Sequence, residues 1–287
     1  MEKKATLSLI LTTVFWGLGF IFVDRALLAG WEAFPLLMAR GLIGGGVLFI
    51  FSYKNKWFKN KKTIKLGMIS GGLFFLGFAF QTTGQGLSSV PNTAFITTLN
   101  VLFVPLISKV FLHKSIDTKV YIAGIIALIG TAVLSFNGSL SFHFGDILLI
   151  ICAIFFALQI IYNEKCGEHN DPISITCIQL LTMGVLSLIC MPVFNQTTIP
   201  SVGWENILYL AVFSSAMASV LQLFGQSHVE PSRASLILSM EAVIGTFASI
   251  LFLGQPLEPS IIVGGTLMIS AVLLVEYKPK QLSMEKA

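Results

Sequence analysis

Gln81-Thr82-Thr83-Gly84-Gln85, followed by Pro91, is echoed by Gln222-Leu223-Phe224-Gly225-Gln226, followed by Pro231, about 140 residues further along the chain. Each copy sits among five apolar segments of membrane-crossing length. An odd number of spans turns the second copy upside down relative to the first, a construction in which two inverted halves meet around a site near the midplane. The fold expected is an all-α integral membrane protein of ten transmembrane helices, arranged as two inverted five-helix repeats. The first repeat covers residues 1–138, and the second, with a short tail, covers 139–287.

Composition points the same way. Apolar residues make up 55% of the 287 and charged residues 11%, with 24 Phe and a mean hydropathy of +0.84, values outside the range of soluble globular domains. Ten spans of roughly 20 residues, each crossing a ~30 Å hydrocarbon core, leave only short connections and no soluble domain. The apolar run behind Met1-Glu2-Lys3-Lys4 reaches Val23, too long for a signal peptide and with no small-residue cleavage site after it. Cys152, Cys166, Cys177 and Cys190 lack the spacing of metal ligands, three of them lie inside apolar spans, and neither a disulfide nor a metal site is expected.

Spans are expected at 6–24, 33–52, 66–86, 91–112, 119–136, 145–164, 172–194, 205–227, 232–253 and 258–276. Pro91, Pro172, Pro231 and Pro259 fall near span starts and Asn137-Gly138 at an exit. Gly41 and Gly45, like Gly67 and Gly71, are i, i+4 pairs that allow close helix approach. Every lysine, together with Arg233, falls in alternate connections, including the run Lys54, Lys56, Lys59, Lys61, Lys62 and Lys65. Only Arg25 lies in an opposite connection, and Arg40 is inside a span, so the positive-inside rule puts both termini in the cytoplasm of a plasma-membrane protein.

Phe15-Trp16-Gly17 through Asp24-Arg25, then Pro35 and Arg40, resembles the opening of the drug/metabolite transporter superfamily, EamA-like family. Phe80-Gln81-Thr82-Thr83-Gly84, Ala94-Phe95-Ile96-Thr97 and Val104-Pro105-Leu106 are similar to that family's third and fourth spans. Met240-Glu241-Ala242 and Leu251-Phe252-Leu253-Gly254-Gln255 resemble its ninth. Two departures stand out: Ala242 where a Pro is common, and Lys114 and Gln255 where acids are common. The resemblance implies a ten-helix transporter of small metabolites, often an exporter.

An ionisable group at the bilayer centre costs roughly 2.5–3.5 kcal/mol on insertion scales. By that measure Glu241 stands out, about nine residues or ~14 Å into its span at 1.5 Å per residue. It reads either as a carboxylate that answers to proton or substrate, or as a packing bond between helices. Asn100, at the equivalent place in the first repeat, is also polar. Arg40 lies ~10 Å below the outer boundary by the same rise, near enough in depth to pair with Glu241 or free to snorkel outward.

Gln81 with Gln85, and Gln222 with Gln226, are i, i+4 pairs on one helix face. They form either two walls of one cavity or interhelical hydrogen bonds. Thr93, Thr97 and Asn100 make a polar stripe. Trp16, in mid-span, either stacks on a substrate or packs in the core, while Gln159 and Tyr162 are placed at an inner mouth. His113, His143, His169 and His228 form no ligand cluster and fit the interfaces.

The leading function is a secondary transporter of a small amphipathic solute such as an amino acid, its partners being that solute and membrane lipid, with no nucleic acid. No cofactor is expected, and the GxxxxGK[ST] loop of an ATPase is missing. An integral-membrane enzyme acting on lipid would need clustered His, Asp or Cys at one face, which this chain lacks. A structural or sensory subunit would have no cavity between its halves. An enzyme is therefore not expected.

Overall fold

The computed structural model describes residues 1–88, 90–135, 143–167, 171–254 and 257–276. Asn137-Gly138, His169, Gln255, Lys278, Lys280 and Lys286 lie outside them. The first half holds α1 (Glu2–Leu28), α2 (Ala33–Ser52), α3 (Lys61–Gly86), α4 (Val90–Thr97), α5 (Asn100–Leu112) and α6 (Thr118–Ser135). The second holds α7 (Phe144–Gly167), α8 (Pro172–Val193), α9 (Trp204–Tyr209), a π-helical segment (Leu210–Met217), α10 (Ala218–Gln226), α11 (Pro231–Leu238), α12 (Glu241–Leu253) and α13 (Pro259–Glu276). Among the described residues nine segments are long and apolar enough to cross a membrane, and a shorter one, Thr118–Val133, stands where the fifth span is expected.

Local chemistry sets the helix starts. Asn60 accepts hydrogen bonds from the amides of Lys62 and Thr63, and Asp171 from that of Ser174, with Pro172 occupying the first turn where a missing N–H is harmless. Helices α1, α3 and α7 run past the expected spans, because hydropathy marks the lipid-buried length while the charged ends keep the helical bonding of the backbone.

Packing follows the duplication. α2 packs on α8 and α6 on α13, each a helix against its own counterpart. The pairing of α3 with α7 is matched, when the halves are exchanged, by that of the eighth span (α9, the π segment and α10) with α1, and α1 on α11 and α12 is matched by α7 on α4 and α5. Glycines set the approach. A Cβ at Gly41 would stand 2.4 Å from the Gly184 amide nitrogen, and one at Gly71 would stand 2.7 Å from the Gln179 carbonyl, so α2 and α3 meet α8 backbone to backbone, as small residues permit in membranes.

The spans expected at 91–112 and 232–253 are present as Asn92–Leu112 and Pro231–Phe252, and each carries a two-residue turn near its middle. α4 ends at Thr97 and α5 begins at Asn100; α11 ends at Leu238 and α12 begins at Glu241. The breaks are 141 residues apart (Glu241 against Asn100), the same offset as Gln81 and Gln222. Across them the amides turn to shorter i→i−3 bonds, Leu99 to Ile96 at 3.1 Å and Met240 to Ile237 at 3.1 Å, a tightening that marks hinges. Thr98 Oγ1 donates to the Ala94 carbonyl and Ser239 Oγ to that of Leu236, local bonding that competes with the helical ladder.

Candidate functional site

Both breaks face one space. Between the halves lies a cavity of about 550 Å3, its open mouth included. α1 contributes Trp16 and Phe20, α2 Arg40, α3 Phe78 and Gln81, and α5 Asn100. From the second repeat come Phe156 and Gln159 on α7, Ser214 on the π segment, Gln222 on α10 and Glu241 on α12. Asn100 and Glu241 are the first residues of the helical segments that follow the two turns, so the turns bring one polar side chain from each half to the cavity.

Gly17 brings α1 into this corner. Its hypothetical Cβ would stand 2.7 Å from the Glu241 carbonyl and 2.9 Å from the Gly245 nitrogen, so the residue beside Trp16 lets α1 lie directly on α12. The Trp16 indole donates to the Ser214 carbonyl at 2.9 Å, which fixes the ring at the cavity wall.

Arg40 and Glu241, which depth alone allowed to pair, do not. Both line the cavity, but the Glu241 carboxylate, 9% exposed, makes no hydrogen bond or ion pair within the described residues. Arg40 turns instead to Ser215 Oγ (2.9 Å from Nε) and Ser214 Oγ (3.2 Å from Nη2), with its guanidinium carbon 4.3 Å from the centre of the Phe78 ring. Ser214, Ser215, Phe78 and Phe156 were not singled out from the sequence. The pair of small hydroxyl residues inside an apolar span, Phe213-Ser214-Ser215-Ala216, was the available signal.

The glutamine pairs divide their labour. Gln81 and Gln222 line the cavity, whereas Gln85 Nε2 donates to the Phe20 carbonyl at 3.1 Å and Gln226 Oε1 accepts from Asn163 Nδ2 at 2.9 Å. Toward the lysine-bearing face the second set grows into a buried ladder. Gln159 and Gln222 exchange amide bonds at 3.2 and 3.4 Å, and Ser70 Oγ donates to Asn163 Oδ1 at 2.8 Å. Thr97 and Tyr162, also expected at the site, lie outside the cavity. Thr97 Oγ1 donates to the Thr93 carbonyl at 2.8 Å, and Tyr162 packs against Leu66, Cys166, Ile175 and Leu223.

The ladder makes a quantitative expectation. Interhelical hydrogen bonds in membranes average ~0.6 kcal/mol, with a maximum near 1.7, and Asn163 makes two. Asn163→Leu, measured by unfolding in mixed micelles, should cost about 1–2 kcal/mol; a stabilised variant would show that the ladder does not hold the helices.

Charges away from the cavity join helix ends. Lys114 pairs with Glu164 at 2.6 Å, and Arg233 holds both Glu2 at 3.0 Å and Glu276 at 2.8 Å. Among the described residues no group of three His, Cys, Asp or Glu could hold a metal ion.

The fold and cavity define a multi-span helical membrane protein whose duplicated halves share one polar site. A model of the EamA-like transporter family matches residues 3–136 and again 143–277, and the chain belongs to that family. It is 31% identical over 277 residues to an uncharacterized transporter of Archaeoglobus fulgidus, covering 96% of this chain and 86% of that one. It is 27% identical to the uncharacterized transporter YvbV of Bacillus subtilis (97% and 93% covered). With an S-adenosylmethionine uptake transporter of Rickettsia felis it shares 22% identity (83% and 80% covered). A solved crystal structure with 15% identity has the same fold, with a TM-score of 0.81 over 96% of this chain and 97% of its own.

Proposed function

We propose that this chain is a secondary transporter that exports small amphipathic metabolites, amino acids or related solutes, across the plasma membrane. The repeats 1–138 and 139–287 rock about the central cavity, both termini lie in the cytoplasm, and Glu241 couples the movement to protons. The observation that carries this reading is the cavity itself, lined from both halves at the point where the fourth and ninth spans break. Broken helices at mid-membrane place polar groups and half-helix ends around a solute, and the hinge-like bonding beside Asn100 and Glu241 gives each half a place to bend.

The walls suit an amphipathic solute. Trp16, Phe20, Phe78 and Phe156 offer rings, while Gln81, Asn100, Gln159 and Gln222 offer amides. Carboxamides both donate and accept, so this set suits neutral polar groups of several kinds. The S-adenosylmethionine of the Rickettsia felis relative's name also combines polar and apolar parts.

The test is a screen of metabolite efflux and uptake in cells with and without the protein, repeated over a range of external pH. Export of one or more amino-acid-like solutes that changes with external pH is expected. Net uptake overturns the direction, and flux indifferent to pH overturns the coupling.

A further inference from the structure

Arg40 is 1% exposed, and among the described residues no carboxylate lies within ion-pair distance of it. A buried charge is ordinarily paired, because desolvation without a counter-charge is costly. Here the protein supplies everything except that counter-charge. The Phe78 ring covers one face at 4.3 Å, a favourable cation–π contact. Ser215 and Ser214 accept from Nε and Nη2, and both hydroxyls are neutral. They occupy two of the guanidinium's five N–H groups and leave its charge intact. Among the described residues Nη1 donates to nothing, and Arg40 lines the cavity.

The serines are held for this task. Both lie on the π segment of the eighth span, both are buried (2% and 0% exposed), and the Ser214 carbonyl is tied to the Trp16 indole at 2.9 Å. π-helical turns inside α-helices recur at functional sites. This one presents two consecutive hydroxyls to a single guanidinium. A planar guanidinium with free N–H groups matches a carboxylate in shape and charge.

We infer that Arg40, positioned by Ser214 and Ser215, is an anion subsite of the central cavity that receives a carboxylate of the solute. The solute thereby brings the counter-charge that the protein withholds. The inference rests on the cavity being the transport site and adds the chemical group that its arginine end selects. One guanidinium calls for one counter-charge, so a monocarboxylate is the group that fits.

Benzoate, a compact monocarboxylate, is the probe, with benzamide as its neutral isostere. The unfolding midpoint of the full-length protein in detergent is followed against each, at ionic strength matched with sodium chloride. Benzoate should raise the midpoint saturably and benzamide should not. Ser215→Asp, which builds a carboxylate against Nε, should raise the midpoint without ligand and weaken benzoate binding at least about tenfold, while Ser215→Asn should keep it. Arg40→Gln should abolish the benzoate response and serves in place of Ser215→Asp if that variant does not fold. No benzoate shift in the natural sequence, an equal shift by benzamide, or undiminished benzoate binding in both Ser215→Asp and Arg40→Gln overturns the subsite. A metabolite screen that shows no transport while the benzoate response persists removes the transport reading and leaves the subsite.

Discussion

Glu241→Ala, reconstituted in proteoliposomes with a solute found by the screen, should lower the initial rate of transport between about tenfold and a hundredfold. The estimate follows from the loss of one charge-assisted hydrogen bond, worth about 1.5–3 kcal/mol, at about 1.4 kcal/mol per factor of ten. Among the described residues Glu241 makes no hydrogen bond or ion pair, so removing it leaves none of their polar groups without a partner; the effect falls on solute or proton rather than on the fold. Glu241→Gln separates these two. If Glu241 carries the coupling proton, the glutamine variant transports without responding to a pH gradient or fails altogether. A variant that keeps both rate and pH response shows that the carboxylate's proton is not used.

Gly41→Val should leave little or no folded protein. Its Cβ would stand 2.4 Å from the Gly184 nitrogen and 2.6 Å from the Gly184 Cα, backbone atoms that cannot turn aside as a side-chain tip can. Overpacking a core commonly costs 1–3 kcal/mol and sometimes more, and about 3 kcal/mol is expected here because α2 and α8 form the broad contact joining the halves. Gly46, with open space around its Cβ position, is the control: Gly46→Val should fold. Yield of monodisperse protein and its unfolding midpoint measure both, and a folded Gly41→Val of unchanged midpoint would mean that the α2–α8 approach is not as close as described.

The repeat and the lysine pattern made the ten-span plan legible because each follows from bulk physics, apolar length in one case and charge placement in the other. The breaks in the fourth and ninth spans were not legible. Neither Thr98-Leu99 nor Ser239-Met240 contains Gly or Pro, and the hydroxyls that bond back to their own helix there have counterparts in uninterrupted helices, such as Thr131 and Ser187. The π segment likewise has no Gly or Pro to mark it, and the consecutive hydroxyls of Ser214 and Ser215 are its one sign in the sequence.

Arg40 and Glu241 could be found because ionisable groups are rare in apolar spans. Their separation could not, since depth along a helix says nothing of lateral position. Thr97 and Tyr162 show the same gap. Both are polar and near the site in sequence, but each points where its helix neighbours dictate. Of the glutamine pairs, Gln81 and Gln222 line the cavity, Gln222 while bonded to Gln159, and Gln85 and Gln226 bond to neighbouring helices.

Access to the cavity from two sides is the claim on which the rest depends. Single cysteines at Gln81 and Gln222, placed in a background lacking Cys152, Cys166, Cys177 and Cys190, are labelled in intact cells and in inverted vesicles with a membrane-impermeant maleimide. A cysteine at Thr97, which does not line the cavity as Gln81 and Gln222 do, is the reference. Labelling at Gln81 and Gln222 whose sidedness shifts when solute is added, with Thr97 unreactive throughout, is the predicted result; no labelling at either glutamine position from either side would contradict it.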